Sequence, residues 1–240
     1  MALLILPLRG NYQMDKDMIT FVPTRGRPDN ALELLNIYKE LSTCSELVFI
    51  IDSSDPALNE YIEKVGLGNC YIVDNETRGM AYPLNYVSNR YQESERYKFY
   101  CFMGDDHRPR THDWDGKLTQ AMSKPASLAY ANDLFQGKNL PTMIAMTKAI
   151  VTELGGMTPP NMRHLYLDNF WLRLGNDLDA IAYLDDVIVE HMHPVAGKAA
   201  MDEGYATVNA KEVYLADKVQ FLQYTSSAKY QEVLNNLKAL

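Results

Sequence analysis

The chain lacks most of the features that assign a protein at a glance. It has three cysteines, Cys44, Cys70 and Cys101. They are odd in number and too far apart for a zinc site or a paired disulfide, so they read as reduced thiols of a cytoplasmic protein. No apolar run is long enough to span a bilayer. Residues 3–8 come nearest, but the run is short, holds Pro7 and has no basic stretch before it, so it is neither a span nor a signal peptide. Basic residues are in deficit, 23 Lys and Arg against 31 Asp and Glu, for a net charge of -8. That argues against a broad nucleic-acid surface and leaves room only for a local basic pocket. A Gly-x-Gly-x-x-Gly turn after the first strand is missing, and so is a Walker loop, which argues against a dinucleotide dehydrogenase and a P-loop kinase. There is no internal repeat, heptad or low-complexity tract.

What is present suits a folded α/β protein. A hydrophobic fraction of 47% in 240 residues is enough for one large domain or a sheet domain with an appendage. Strand patterns at 19–23, 46–51, 69–73 and 97–103 alternate with helical patterns at 28–41, 57–65 and 79–90, which predicts a mostly parallel central sheet flanked by helices. Pro28 suits the first turn of its helix. After residue 106 the order becomes mixed: helix at 114–122, short strands at 127–131 and 142–145, helix at 165–174, short strands at 181–183 and 187–189. The tail, 210–240, reads as helix with a break at Ser226-Ser227, either packing across the sheet or making a dimer contact, so a monomer and a homodimer are both open. Residues 1–17 read as a leader or extended start, with Met14 and Met18 as natural starting points. The main domain is then 18–209, divided into a nucleotide-binding-style part, 18–106, and a completing part, 107–209.

The chemistry collects at strand ends. Asp105-Asp106 follows the run 97–103 and one glycine, and Asp52 ends the second strand. In a parallel sheet these ends share one edge, where open α/β sheets gather ligands. Adjacent carboxylates repel unless a cation lies between them and a partner, and a divalent metal carrying phosphate fills that need. Taken alone, each acid also fits a turn or a helix cap. Thr24-Arg25-Gly26-Arg27 supplies two guanidiniums and a glycine turn suited to a diphosphate, or else forms a solvated loop. Arg78-Gly79, with Asn75 and Asn85 on either side, is a second such loop. His191 and His193 are two apart on extended backbone and so point the same way, where either can join an aspartate at manganese or a similar ion. By the same rule His107 should point away from Asp106. Asp168 stands in the first turn of its helix, after the pliable 155–160 stretch, and is the candidate proton acceptor; its plain reading is a cap. Asp185-Asp186 reads as the turn between two short strands.

Taken together, Phe21-Val22-Pro23-Thr24-Arg25-Gly26-Arg27-Pro28, Asp52, Arg78-Gly79 with Asn85, and Met103-Gly104-Asp105-Asp106 resemble nucleotide-sugar glycosyltransferases of the GT-A fold, family 2-like, particularly phage-encoded members. The resemblance covers about residues 18–195. It implies a Rossmann-like catalytic domain over 18–209, with an acceptor-side mixed region, that transfers a sugar from a nucleotide-sugar donor to a hydroxyl. UDP-sugar is preferred over GDP-sugar, with Mn2+ or Mg2+. It implies that Val22, Pro23, Thr24, Arg25 and Arg27 line the nucleotide pocket with Arg78, Gly79 and Asn85. Asp52 would read the base, Asp105 the ribose or sugar, and Asp106 the metal, with His191 or His193 as a further ligand. Asp168 matches the base of inverting relatives. The acidic motif is shortened here: Gly104 and His107 stand where many members carry acids. The acceptor is left open among a protein, a glycan and a modified base, in the cytoplasm (the host's, for a phage protein). The alternatives are a nucleotidyltransferase, or a non-catalytic nucleotide- or carbohydrate-binding protein.

Overall fold

The computed structural model describes residues 16–75, 79–198 and 210–240. Residues 1–15 of the expected leader and Arg78 lie outside them. Eight strands are joined in the order β3-β2-β1-β4-β7-β6-β8-β5. They are β1 (Met18–Thr24), β2 (Ser45–Asp52), β3 (Cys70–Val73), β4 (Phe99–Phe102), β5 (His107–Pro109), β6 (Leu128–Asn132), β7 (Ile144–Thr147) and β8 (Ile181–His191). β3, β2, β1 and β4 are parallel neighbours, β7 runs antiparallel to β4 and β6, and β8 pairs parallel to β6 and antiparallel to β5. The helices are α1 (Pro28–Leu41), α2 (Leu58–Val65), α3 (Ala81–Tyr91), α4 (Trp114–Ala121), α5 (Lys148–Leu154), α6 (Leu167–Asp177), α7 (Lys211–Thr225) and α8 (Ala228–Lys238). No helix among the described residues is long and apolar enough to cross a membrane.

β1 is the centre of the parallel half, and its residues are buried on both faces. Alternation sends Thr20 toward α1, where the Tyr38 hydroxyl donates to it at 2.9 Å, and Phe21 toward α3, where it meets the Tyr91 ring edge-on at 5.4 Å. Such two-sided burial is why the strand reads as a nearly continuous apolar run. α1 begins with Pro28 in its first turn, as expected, with Asp29 there and Lys39 in the last turn, both suited to the helix dipole. On the mixed side Phe102 of β4 packs on Trp171 of α6 at 5.0 Å, and Trp171 donates its indole N–H to the Met157 carbonyl at 2.7 Å. The long aromatic side chains thus tie the sheet to the 155–160 loop.

Two expectations are corrected. The short strands at 181–183 and 187–189 are one strand, β8, and Asp185-Asp186 lies within it rather than in a turn. Pairing with β6 jumps from Ala131↔Leu184 to Asn132↔Ile188, so the acids ride a bulge whose residues need no apolar pattern. Two short elements, β5 and α5, carry no periodicity long enough to announce themselves. The tail breaks near Ser226-Ser227 as expected, where the Ser227 hydroxyl caps α8 by accepting from the Tyr230 N–H at 3.1 Å. α8 packs inward through Tyr230, Val233, Leu234 and Leu237.

Candidate active site

The C-terminal ends of β1, β2 and β4 bring the strand-end acids to one edge, and Asp52 and Asp105 each have their own guanidinium. After β1 the chain turns through Gly26, whose φ of +68° is one that L side chains rarely adopt, and the Gly26 N–H donates to the buried Asp55 at 2.8 Å. That turn sends Arg25 to Asp52 at 3.3 Å and Arg27 to Asp105 Oδ1 at 3.2 Å. Thr24 donates to Asp105 Oδ2 at 2.6 Å. Its hydroxyl proton is therefore spent, so Tyr61 donates to Thr24 at 2.8 Å while accepting the Arg27 N–H at 2.7 Å. Asp52 also accepts from the Ser54 N–H at 2.8 Å.

Asp106 faces imidazoles instead. His107 does not point away from it. An i to i+3 turn, His107 N–H to Gly104 carbonyl at 3.1 Å, ends the extended backbone after β4 and brings Nδ1 to 3.3 Å from Asp106 Oδ1. His191 Nε2 lies 3.3 Å from Asp106 Oδ2, and the two rings stack at 4.2 Å. One ligand atom from each of Asp106, His107 and His191 falls within 4.8 Å of the others. His193 stands beside this group: its ring meets His191 edge-on at 4.9 Å and stacks on Phe135 at 5.4 Å, and its Nδ1 accepts from the Val195 N–H at 3.1 Å.

Proton directions sort the two rings. Burial, with His191 beside it, lowers the pKa of His107, so it is neutral and has one N–H. The Gly104 N–H donates to its Nδ1 at 3.1 Å, and Thr142 donates to Asp133 Oδ2 at 2.8 Å while standing 3.3 Å from His107 Nε2. Only an Nε2–H ring satisfies all three contacts. His107 Nδ1 and Asp106 Oδ1 then meet lone pair to lone pair.

Charge is unequal across the pair of acids. Burial, then the neighbouring Asp106, pushes Asp105 up to about 6 against the pull of Arg27 and Thr24. Burial also opposes ionisation of Asp106, but the carboxyl is held well below the usual range, with the His191 Nε2–H directed at its Oδ2. An ionised carboxylate with imidazole nitrogen beside it is a donor set that suits manganese or a similar ion. Burial raises the Asp168 carboxyl against the pull of the Asn169 N–H, which it accepts at 2.8 Å. His164, in the loop just before α6, is pushed down to about 4 by burial, and it feels Asp217, Arg27 and Asp106.

The remaining expected residues hold the frame. Pro23 is the penultimate residue of β1. Asn85 spends both ends of its amide on Thr158, accepting its N–H at 2.9 Å and donating to its carbonyl at 3.1 Å. Gly79 abuts the Arg163 carbonyl so closely that a Cβ there would collide with it, and Ala81 donates to that carbonyl at 3.0 Å. Sequence reasoning missed His107, Asp133, Thr142, His164 and Tyr61, and also Arg108 and Asp217. Arg108 is buried, with one arm on the Asp105 and His107 carbonyls at 2.8 Å and the other on Glu33 at 2.7 Å. Asp217 of α7 accepts the N–H groups of Arg163, His164 and Leu165 at 2.9, 2.9 and 2.7 Å, which fastens the loop before Asp168. Asp133 carried a usable signal, since it follows β6 as Asp105 follows β4. A cavity of about 550 Å³ opens at the other end of β4, by Tyr97, Lys98, Phe99 and Thr147, and shares no residue with the acids.

No family model matches the chain, and no curated protein matches it. Solved structures do. The mannosyltransferase PcManGT from Pyrobaculum calidifontis, solved with GDP-Man and Mn2+, aligns over 95% of this chain and 70% of its own, with TM-score 0.59 and 14% identity. TarS 1-349 from S. aureus, solved with UDP, aligns over 89% and 73%, with TM-score 0.55 and 17% identity. Glucosyl-3-phosphoglycerate synthase from Mycobacterium tuberculosis, solved with Mn2+, UDP-Glc and phosphoglyceric acid, aligns over 86% and 80%, with TM-score 0.55 and 13% identity. The chain therefore has the α/β fold of these glycosyltransferases, in agreement with the GT-A-like expectation.

Proposed function

We propose that the chain is a metal-dependent glycosyltransferase that moves a sugar from a nucleotide-sugar donor, UDP-sugar ahead of GDP-sugar, to a hydroxyl acceptor. The observation that carries this reading is the Asp106–His191 pair beside the Asp105–Arg27 ion pair, at the strand ends of a sheet shared with three transferases whose structures hold nucleotide sugars or UDP. Asp106 and His191 are the cation ligands we assign. His107 becomes a third when its Nδ1 gives up the Gly104 N–H, and His193 when its ring turns from Val195. A divalent cation held by these residues would neutralise the charge that grows on the departing nucleotide diphosphate.

The chain's own residues do the rest. Asp52, with Arg25, stands where the base of the donor would lie. Arg27 holds Asp105 in place against a ribose or sugar hydroxyl, and its guanidinium can share a phosphate oxygen. The loop from 155 to 166, fastened by Asn85, Gly79 and Asp217, shapes the acceptor side. In an inverting displacement the acceptor oxygen bonds to the anomeric carbon as the bond from that carbon to the phosphate oxygen breaks. The diphosphate leaves with the electron pair, and the hydroxyl proton passes to Asp168. A carboxyl raised by burial is the better base near neutral pH. A cytoplasmic setting goes with this reading, since nucleotide sugars and reduced thiols occur there together.

Calorimetric titration of UDP and GDP, each with and without Mn2+, tests the proposal. Binding of UDP that requires the metal is the expected result. Binding of neither nucleotide overturns it, and metal-dependent binding of GDP alone transfers the donor assignment.

A further inference from the structure

We propose that Asp133 is the positioning residue of the imidazole cluster: its Oδ2 is the acceptor that takes the His191 Nδ1 proton, freeing Nε2 for a divalent cation, and that takes the His107 Nε2 proton through Thr142. The inference rests on the cation reading given above.

Asp133 is 1% exposed, and its aim is fixed. Oδ1 accepts the N–H groups of Phe135, Gln136 and Gly137 at 3.0, 2.8 and 2.8 Å. Oδ2 is thereby turned toward the two rings. The Thr142 hydroxyl reaches it at 2.8 Å, and His191 Nδ1 stands 4.0 Å away. The backbone holds the same pair together, since the His191 N–H donates to the Asp133 carbonyl at 3.0 Å.

His191 Nδ1 is buried and has no hydrogen-bond partner among the described residues. A buried ring nitrogen is seldom left so. With the ring proton on Nε2 and directed at Asp106, Nδ1 presents a bare lone pair to a carboxylate. With Nε2 engaged by a cation, the proton must sit on Nδ1, and a ring shift of about 1 Å makes the bond to Asp133. An acceptor behind a ligating imidazole fixes its tautomer and raises its basicity. The unpaired nitrogen and the waiting carboxylate are two halves of that arrangement. The second arm is already closed, from the Gly104 N–H through His107 and Thr142 to Asp133, each group donating to the next.

The test compares the full-length parent with Asp133→Asn and Thr142→Val. Asparagine keeps a carbonyl oxygen for the three turn amides and sets an NH2 where Oδ2 was. That NH2 donates to His191 Nδ1 and locks the proton on Nε2. Titration with Mn2+ alone, read by electron paramagnetic resonance of the free ion, should show affinity falling about 10–100-fold, with the thermal midpoint little changed. Equal affinity in the parent and Asp133→Asn overturns the proposal and leaves the cation site standing. If the parent binds no Mn2+, the cation reading falls, and long-range 1H–15N spectra of the metal-free protein decide the role of Asp133. His107 should be Nε2–H in the parent and shift to Nδ1–H in Asp133→Asn; no shift overturns the proposal. Thr142→Val leaves the 133–137 turn intact and should release His107 into a mixture of tautomers, so an unchanged single tautomer overturns the relay even if Asp133→Asn fails to fold.

Discussion

Gly104→Ala tests the cation site through a single methyl group. A Cβ built on Gly104 would stand 2.6 Å from Asp106 Oδ1 and 3.0 Å from His107 Nδ1. The closest comfortable carbon–oxygen approach is about 3.3 Å, so the Asp106 carboxylate must retreat by roughly 0.7 Å. Ligand distances at a divalent ion tolerate only about 0.2 Å. The carboxylate cannot yield that far and still serve with His191, so Mn2+ affinity should fall at least tenfold, which is about 1.4 kcal/mol. The fold should suffer less. Gly104 has no left-handed backbone to lose, and alanine lowers the entropy of the unfolded chain by an amount worth about 0.4–1 kcal/mol. Calorimetry with Mn2+, alongside denaturant unfolding without metal, separates the two effects. Parent-like Mn2+ affinity in a folded Gly104→Ala protein would refute the placement of the ion on Asp106.

Three further outcomes are expected. Asp168→Asn should leave UDP and Mn2+ binding intact and cut transfer about 100-fold or more; normal turnover removes Asp168 as the proton acceptor. Asp217→Ala strips one carboxylate from three backbone N–H groups and should cost about 2–4 kcal/mol, with hydrogen exchange at residues 163–165 accelerated; unchanged protection there contradicts the role of α7 as the fastener of the acceptor loop. The metal-free protein should also carry a pH signature. Asp105, raised to about 6, keeps its proton in the folded state where the unfolded chain has lost it, so its contribution to stability falls as pH rises from about 4 to about 6. His164, pushed down to about 4, gives the opposite slope over much of that window, and Asp106, held low, acts below about pH 4. The difference between the parent and Asp105→Asn isolates the first effect, and parallel stability curves for the two proteins would count against it.

The amino-acid order by itself determined the parallel half of the sheet and the acids at its edge. Residues 19–23, 46–51 and 97–103 are mostly apolar runs, and such runs, separated by helix-length amphipathic stretches, allow few arrangements. Asp52 and Asp105-Asp106 were legible because an acid after a buried strand must emerge where that strand ends. Asp133 obeys the same rule after β6 and was passed over because β6 and β7 are short. The rest needed the tertiary structure. Which partner answers each carboxylate, Arg27 for Asp105 and imidazole for Asp106, depends on loops whose backbone bonds have no periodicity. His107 faces Asp106 because a four-residue turn replaces extended backbone, and Gly104 is small because two side chains already fill the space of its Cβ. The bond from Asp217 to the loop before Asp168 joins positions more than fifty residues apart. Local pattern records which residues are buried together along one strand or helix; contacts made across the chain exist only once the sheet has closed.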